Sequence, residues 1–354
     1  MRAAVLHAAH DLRIEDVPEP EGPAADEVTI AVHLCGVCGT DAHEWAHGGP
    51  MTPLTVRHPN SGHVGPTVIG HEFMGTVVAA GADAGLPVGR RVVAGAGQWC
   101  GSCPACAAGR TNLCTRYFTY GLSTHGGMAE RITVPAAMCV AVPDGCDDTN
   151  AVLAQPVAIA MHAVDRSGIE PGSNILVIGA GGIGALLVAC AADLGAKVTV
   201  VDLDPERLDA AVRLGASTVE VIEADQPGTP FTAVPTVFET SGSTSGLRLA
   251  MASAAPGGRI VGVGLPSRPV EFDSRRAVVS EIDIVTSSAH VCRRDLPNAV
   301  DLLTRRPLAG EILAQTVPID RLVTDALAPL AAGAIKGKTV VDVQRTSQPR
   351  FTAL

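Results

Sequence analysis

Up to about residue 95 the chain reads as short β-rich runs broken by glycine and proline: Ala3–Leu6, Glu27–Leu34 and Gly75–Ala80, with Gly89-Arg90-Arg91-Val92-Val93 turning into another. Short strands at this spacing predict a small β-barrel or sandwich rather than a parallel sheet. Strand-like residues return over Met128–Pro135, and from Asn150 the texture becomes alanine-rich and helix-compatible. A different pattern then begins. Asn174-Ile175-Leu176-Val177-Ile178 is a short apolar run of the kind buried on both faces of a parallel sheet. A glycine turn, a helix to about Leu194 and a second apolar run, Lys197–Val201, follow directly. The alternation continues through a helix at Pro205–Leu214, a strand at Thr236–Glu239, a helix at Ser243–Ala254 and strands at Arg259–Gly264 and Ile282–Thr286. This is an α/β pattern with a parallel sheet of about six strands. Past Arg293, two helical stretches and a strand at Gly337–Val343 read as a return to the first domain, and the tail Arg345–Leu354 is expected to fray.

Composition narrows the picture without changing it. At 354 residues the chain is long for one core, so two domains are expected. With 47% hydrophobic and 18% charged residues it has the make-up of an ordinary globular protein. A net charge of −10 with scattered basic residues argues against a nucleic-acid surface and gives no reason to expect an anionic membrane partner. The N-terminus lacks the apolar core of a signal peptide and no apolar run reaches transmembrane length, so a cytoplasmic protein is expected.

The glycine turn carries the first chemistry. Gly179-Ala180-Gly181-Gly182-Ile183-Gly184 lies between a strand and a helix, where glycines let the backbone approach a pyrophosphate at a helix N-terminus. Asp202, about twenty residues on, ends the next strand and is suited to accept from a ribose 2′-hydroxyl. A carboxylate there repels a 2′-phosphate and favours NAD over NADP, whereas Arg207 is suited to lie over the adenine or to meet a phosphate.

Four of the ten cysteines fall at Cys100-x2-Cys103-x2-Cys106-x7-Cys114. Thiolates so spaced close a tetrahedron around zinc and leave no open position, so this metal is expected to be structural. A cubane cluster uses similar spacing, but the proline that follows the last cysteine of ferredoxin-type runs is missing. Cys35, Cys139, Cys146, Cys190 and Cys292 read as small apolar or partly exposed residues.

The densest chemistry lies in Cys35–Trp45, C-G-V-C-G-T-D-A-H-E-W, followed by Gly70-His71-Glu72. Thiolate and imidazole are ligands that zinc takes when one position stays open for substrate. A hydroxyl two residues beyond the thiol and an imidazole three further on can carry a proton away. The alternative is a buried cysteine at a strand end with a histidine capping a turn. Between His43 and Gly70 a proline-, glycine- and histidine-rich segment reads as one long pocket-shaping loop, with His47, His58 and His63 as solvated or hydrogen-bonded loop residues.

Together, the Cys-Gly-Thr-Asp-x-His at 38–43, the Gly-His-Glu at 70–72, the four cysteines and the dinucleotide pattern resemble the zinc-dependent medium-chain alcohol dehydrogenases over nearly the whole chain. The wording around Cys38, the long loop and Val157–Val164 look most like the 2,3-butanediol and sorbitol dehydrogenase branch. The resemblance implies a GroES-like β-barrel catalytic domain over 1–153, with a structural-zinc lobe at 98–116. It also implies a doubly wound Rossmann domain over 154–292 and a C-terminal return over 293–354. Carried over, Cys38 and His71 are catalytic zinc ligands, Glu72 is a carboxylate beside the metal that binds it in the polyol branch, and Asp41 orients the histidine. Thr40 and His43 form a proton relay through the nicotinamide ribose, Lys338 lies near the pyrophosphate, and the backbone of Val263 and Gly264 lines the nicotinamide. One position departs from the pattern: where that branch has glutamate and others cysteine, this chain has Gln155, an uncharged ligand that cannot take a proton.

The implied activity is hydride transfer between a secondary alcohol, vicinal diol or polyol, or the matching ketone, and NAD(H). Two zinc ions per chain and a homodimer or homotetramer are further implications. The residues leave two other readings open: a non-catalytic NAD- and zinc-binding protein, or a net non-redox epimerase or dismutase on the same scaffold.

Overall fold

Strand Glu27–Val37 is the spine of the first of two units into which the chain divides, Met1–Gln155 with the segment from Val291 onward, and Pro156–His290. The structure, a computed structural model, describes residues 1–223, 231–266 and 268–347. In the first unit a seven-stranded sheet runs in the order Cys139–Ala141, Arg91–Ala94, Glu72–Ala80, Glu27–Val37, Lys338–Asp342, Leu313–Pro318, and Arg131–Pro135 also pairs with the spine. A smaller sheet joins Asp11–Asp16, Arg2–Ala8 and Thr67–Val68.

Register makes this sheet useful. Along the spine, Gly36 stands opposite Glu72 and Cys35 opposite Phe73. On its other side Thr339 stands opposite Val37 and Val341 opposite Cys35. Both neighbours are antiparallel to the spine, so the end leading into Cys38 meets the starts of the strands that begin at Glu72 and Lys338. The C-terminal strand thus pairs with the spine of the first unit. Of the tail expected to fray, 348–354 lie outside the described residues. Arg345 and Ser347 are instead anchored, their N–H groups donating to Asp342 and Asp320 at 3.1 Å.

In the second unit six parallel strands run in the order Thr218–Val221, Lys197–Asp202, Asn174–Ile178, Val234–Glu239, Ala254–Gly262, Asp283–Thr286. Strand order reverses between Asn174–Ile178 and Val234–Glu239, as in dinucleotide-binding sheets. Leu176, Ile178, Val201, Val237 and Ile260 build its core with Met251 from the helix Thr244–Ser253, each buried side chain worth about 1.5–3 kcal/mol. Strand Thr218–Val221 was not expected from the sequence. It is a short edge strand, mostly exposed, so it lacks the apolar run that betrays its neighbours.

Candidate active site and metal centres

The segment expected to be loop from His43 onward begins with a helix, Gly39–His47, and a short strand, Thr67–Val68, precedes Gly70. Cys38 is the helix N-cap and Asp41, three residues on, accepts from its backbone N–H at 2.9 Å. That is the N3 half of a capping box, a signal present in the sequence but masked by the Gly39-Thr40 start. The other Asp41 oxygen faces His71 Nδ1 at 3.4 Å, and Asp41 and His71 are both buried. One carboxylate therefore anchors the Cys38 turn and orients the imidazole, leaving Nε2 available to a ligand. Burial alone pulls His71 toward neutrality, but the charges of Asp41 and Cys38 outweigh it and hold the imidazole well above its ordinary pKa. The field that favours a proton there also favours a divalent cation.

Ligand atoms of Cys38, His71 and Glu72 lie within 4.8 Å of one another. Thr40 Oγ1 is 3.6 Å from Cys38 Sγ. Glu72 Oε2 and Gln155 Oε1 are buried without a hydrogen-bond partner. A thiolate, an imidazole and a carboxylate this close together fit zinc with an open position. His43 is exposed on the same helix.

Lys338, which the family resemblance puts near a pyrophosphate, is buried in the first unit. Its buried ammonium donates to Glu72 Oε1 at 2.7 Å and stands 2.6 Å from Oε2, although Oε2 is poorly aligned as an acceptor. Burial disfavours this cation, but Glu72 and then Cys38 more than offset that and raise its pKa. Gly36 is needed opposite, because a Cβ there would collide with the Glu72 carboxylate.

The four sulfurs of Cys100, Cys103, Cys106 and Cys114 also lie within 4.8 Å of one another. The backbone N–H groups of Cys100 and Arg116 donate to Cys114 Sγ at 3.2 and 3.3 Å. Ser102, chiefly through its backbone N–H, lowers the Cys100 thiol to about 5. Such N–H···S contacts favour the thiolate that a metal takes. The lobe is closed at its base by the pairing of Gly97–Gln98 with Phe118–Thr119, and Arg293 lies over Trp99 at 5.6 Å.

In the second unit Gly179 to Gly184 turn from strand to helix Gly182–Asp193 at the point of strand reversal. A Cβ on Gly184 would strike the Gly179 carbonyl, so the helix can approach its strand this closely only with glycine. Asp202 Oδ2 accepts from Ala180 N–H at 2.6 Å, Oδ1 accepts from Asp204 N–H at 2.9 Å, and Arg207 Nη1 is 3.8 Å from Oδ1. Val263 and Gly264 both donate their N–H to the Glu239 carbonyl, at 2.8 and 3.0 Å. Two supporting residues were missed in the sequence. Buried Glu239 accepts from the N–H groups of Ser241 and Gly242, and Thr240 Oγ1 donates to the Gly179 carbonyl at 2.8 Å. Only strand order brings these to the glycine turn.

Four thiolates saturate a metal, whereas the Cys38 set leaves room for a reactant. With a dinucleotide sheet in the same chain, the class so defined is the zinc-dependent oxidoreductase. The chain belongs to the zinc-dependent medium-chain alcohol dehydrogenase family: residues 24–144 match the family model described as alcohol dehydrogenase GroES-like domain, and residues 182–305 the one described as zinc-binding dehydrogenase. A sorbitol dehydrogenase of Bacillus subtilis is 34% identical over 277 residues, 76% of each chain. One of Bombyx mori is 32% identical over 342 residues, covering 91% of this chain and 90% of the relative. The solved structure of 2R,3R-butanediol dehydrogenase from Bacillus subtilis superposes with a TM-score of 0.87 at 28% identity, covering 96% of this chain and 99% of that one.

Proposed function

We propose that the protein interconverts a secondary alcohol, vicinal diol or polyol and its ketone with NAD(H). The observation that carries this reading is the convergence of Cys38, His71 and Glu72 with the Thr40 hydroxyl beside the thiol. The names of the sorbitol and butanediol relatives support the substrate class. Zinc, when held by Cys38 and His71, supplies a Lewis acid that makes an alcohol more acidic, and the nicotinamide supplies the hydride acceptor. Thr40 would take the alcohol proton, and exposed His43 on the same helix would receive it and release it to water. Glu72, whose Oε1 accepts from Lys338 while its buried Oε2 has no hydrogen-bond partner, is the third ligand in this reading, and Gln155, with its own unpartnered buried Oε1, is the further candidate donor. Metal analysis is expected to return about two zinc ions per chain, one per site; a value of one removes the open site from this reading.

Asp202 supports NAD over NADP. Both its oxygens already accept a backbone N–H, yet each retains a lone pair for a ribose hydroxyl. Asp202→Ala is expected to weaken both cofactors by loosening the Ala180 turn, and to weaken NAD more than NADP by about tenfold. Equal losses, measured as paired dissociation constants, overturn the preference.

A homo-oligomer is part of the same reading. Strand Asp283–Thr286 is the edge of the parallel sheet, and Ile284, Val278 and Val279 are exposed on and beside it, which suits a second copy. Sedimentation at micromolar concentration should give at least a dimer mass; a monomer mass refutes it. Among the described residues no helix is long and apolar enough to cross a membrane. Ten cysteines, five of them assigned to metal rather than to disulfides, support a reducing, cytoplasmic setting, which subcellular fractionation checks.

A further inference from the structure

Helix Gly39–His47 carries a second exposed histidine, His47, that the proposed reaction does not use. His43 and His47 lie four residues apart, on one face. Both are exposed, and their rings stand 4.3 Å apart between centroids with a tilt of 30°. His47 Nδ1 lies 3.0 Å from the His43 carbonyl oxygen, which can only accept. Nδ1 therefore carries the proton, and the lone pair of His47 is on Nε2. An imidazole whose far N–H is held by a backbone carbonyl is a typical metal-ligand arrangement.

The carboxylates on this helix face elsewhere. Glu44 is buried and accepts from the N–H groups of Met51 and Thr52, and Asp41 is engaged with Cys38 and His71. The exposed pair thus offers nitrogen without oxygen. Such a donor set takes zinc, nickel or copper and discriminates against calcium and magnesium. Neither histidine belongs to the Cys38, His71 and Glu72 set.

We propose that His43 and His47 form an inhibitory binding site for an imidazole-seeking divalent metal ion, distinct from both zinc centres. The ion is held by two imidazoles and completed by water, and exposed side chains have the freedom to close the remaining gap between the rings. Metal on His43 consumes the lone pair that accepts the substrate proton, so occupation blocks proton release. The inhibition, though not the site, rests on the relay role given to His43 above.

The test uses the zinc-loaded enzyme, with Ni²⁺ as the probe because it suits imidazole and does not change oxidation state under these conditions. Nickel binding is followed by calorimetry, turnover is assayed in parallel, and released zinc is measured in the same samples. Wild type should bind one nickel per chain that His47→Gln binds at least about tenfold more weakly, since loss of one arm of a chelate removes its effective-concentration gain. The midpoint for inhibition should shift by the same factor, while turnover without nickel is unchanged. Equal nickel affinity in wild type and His47→Gln overturns the site, as does inhibition that tracks zinc release. If binding depends on His47 but turnover ignores nickel, the metal site stands and the inhibitory role falls, along with the relay role of His43.

Discussion

Cys38→Ser is expected to lower kcat/KM for alcohol oxidation by about 10³-fold or more while both units stay folded. Serine is a good helix N-cap, so the turn entering Gly39–His47 keeps its geometry and its Asp41 contact. The loss is one of charge. Lys338 offsets the charge of Glu72 and His71 brings no negative charge, so Cys38 is the ligand whose negative charge is not already offset. A serine hydroxyl stays protonated where a thiol yields a thiolate. Lewis-acid stabilisation is worth several kcal/mol, and each 1.36 kcal/mol is tenfold in rate, which sets the estimate. Metal content should fall from about two zinc ions per chain to about one, with NAD binding retained. Turnover that survives without the second zinc would sink the mechanism.

Lys338→Met should be the most destabilising single change at the site. Lys338 and Glu72 are 5% and 1% exposed, so methionine leaves an uncompensated buried carboxylate. Breaking such a pair costs about 3–5 kcal/mol, on the order of 10 °C in melting temperature for a unit of this size. The penalty should be largest after zinc is stripped, because a bound cation offers the released carboxylate another partner. Glu72→Gln with Lys338→Met removes both charges and should restore most of the loss, as a double-mutant cycle would read. A double variant as unstable as the single one shows that Lys338 acts by packing rather than by charge.

The alternation of apolar run, glycine turn and helix in the second unit was legible because it is written locally. A buried parallel strand needs consecutive apolar residues, and a close strand-to-helix turn needs glycine, as at Gly184. Thr218–Val221 escaped because an exposed edge strand needs no apolar run. Helix Gly39–His47 escaped because glycine and a β-branched threonine open it, and the one cue was Asp41 three residues past Cys38.

The cysteine cluster of the lobe was equally visible, since close spacing of four thiols is itself the constraint. The residues packed around the glycine turn were not. Glu239 and Thr240 reach the glycine turn only because their strand is the neighbour of Asn174–Ile178 in the sheet. Asp41, expected to orient the ligating histidine, also accepts from the Cys38 N–H with its second oxygen, a double role that needs His71 brought against the Cys38 turn.

By itself, then, the sequence determined the fold class, the family, the closed cysteine set and the residue types that do redox chemistry at an alcohol. Each of these is expressed in short windows of spacing or apolar pattern. Only the tertiary structure decided how charge is distributed at the open centre. Lys338 and Glu72 are 266 residues apart, and no local pattern marks them as partners. Antiparallel strands on either side of Glu27–Val37 bring them together under a glycine that leaves room for the carboxylate. Long-range register thereby makes Lys338 the counter-ion of the carboxylate that stands beside Cys38 and His71.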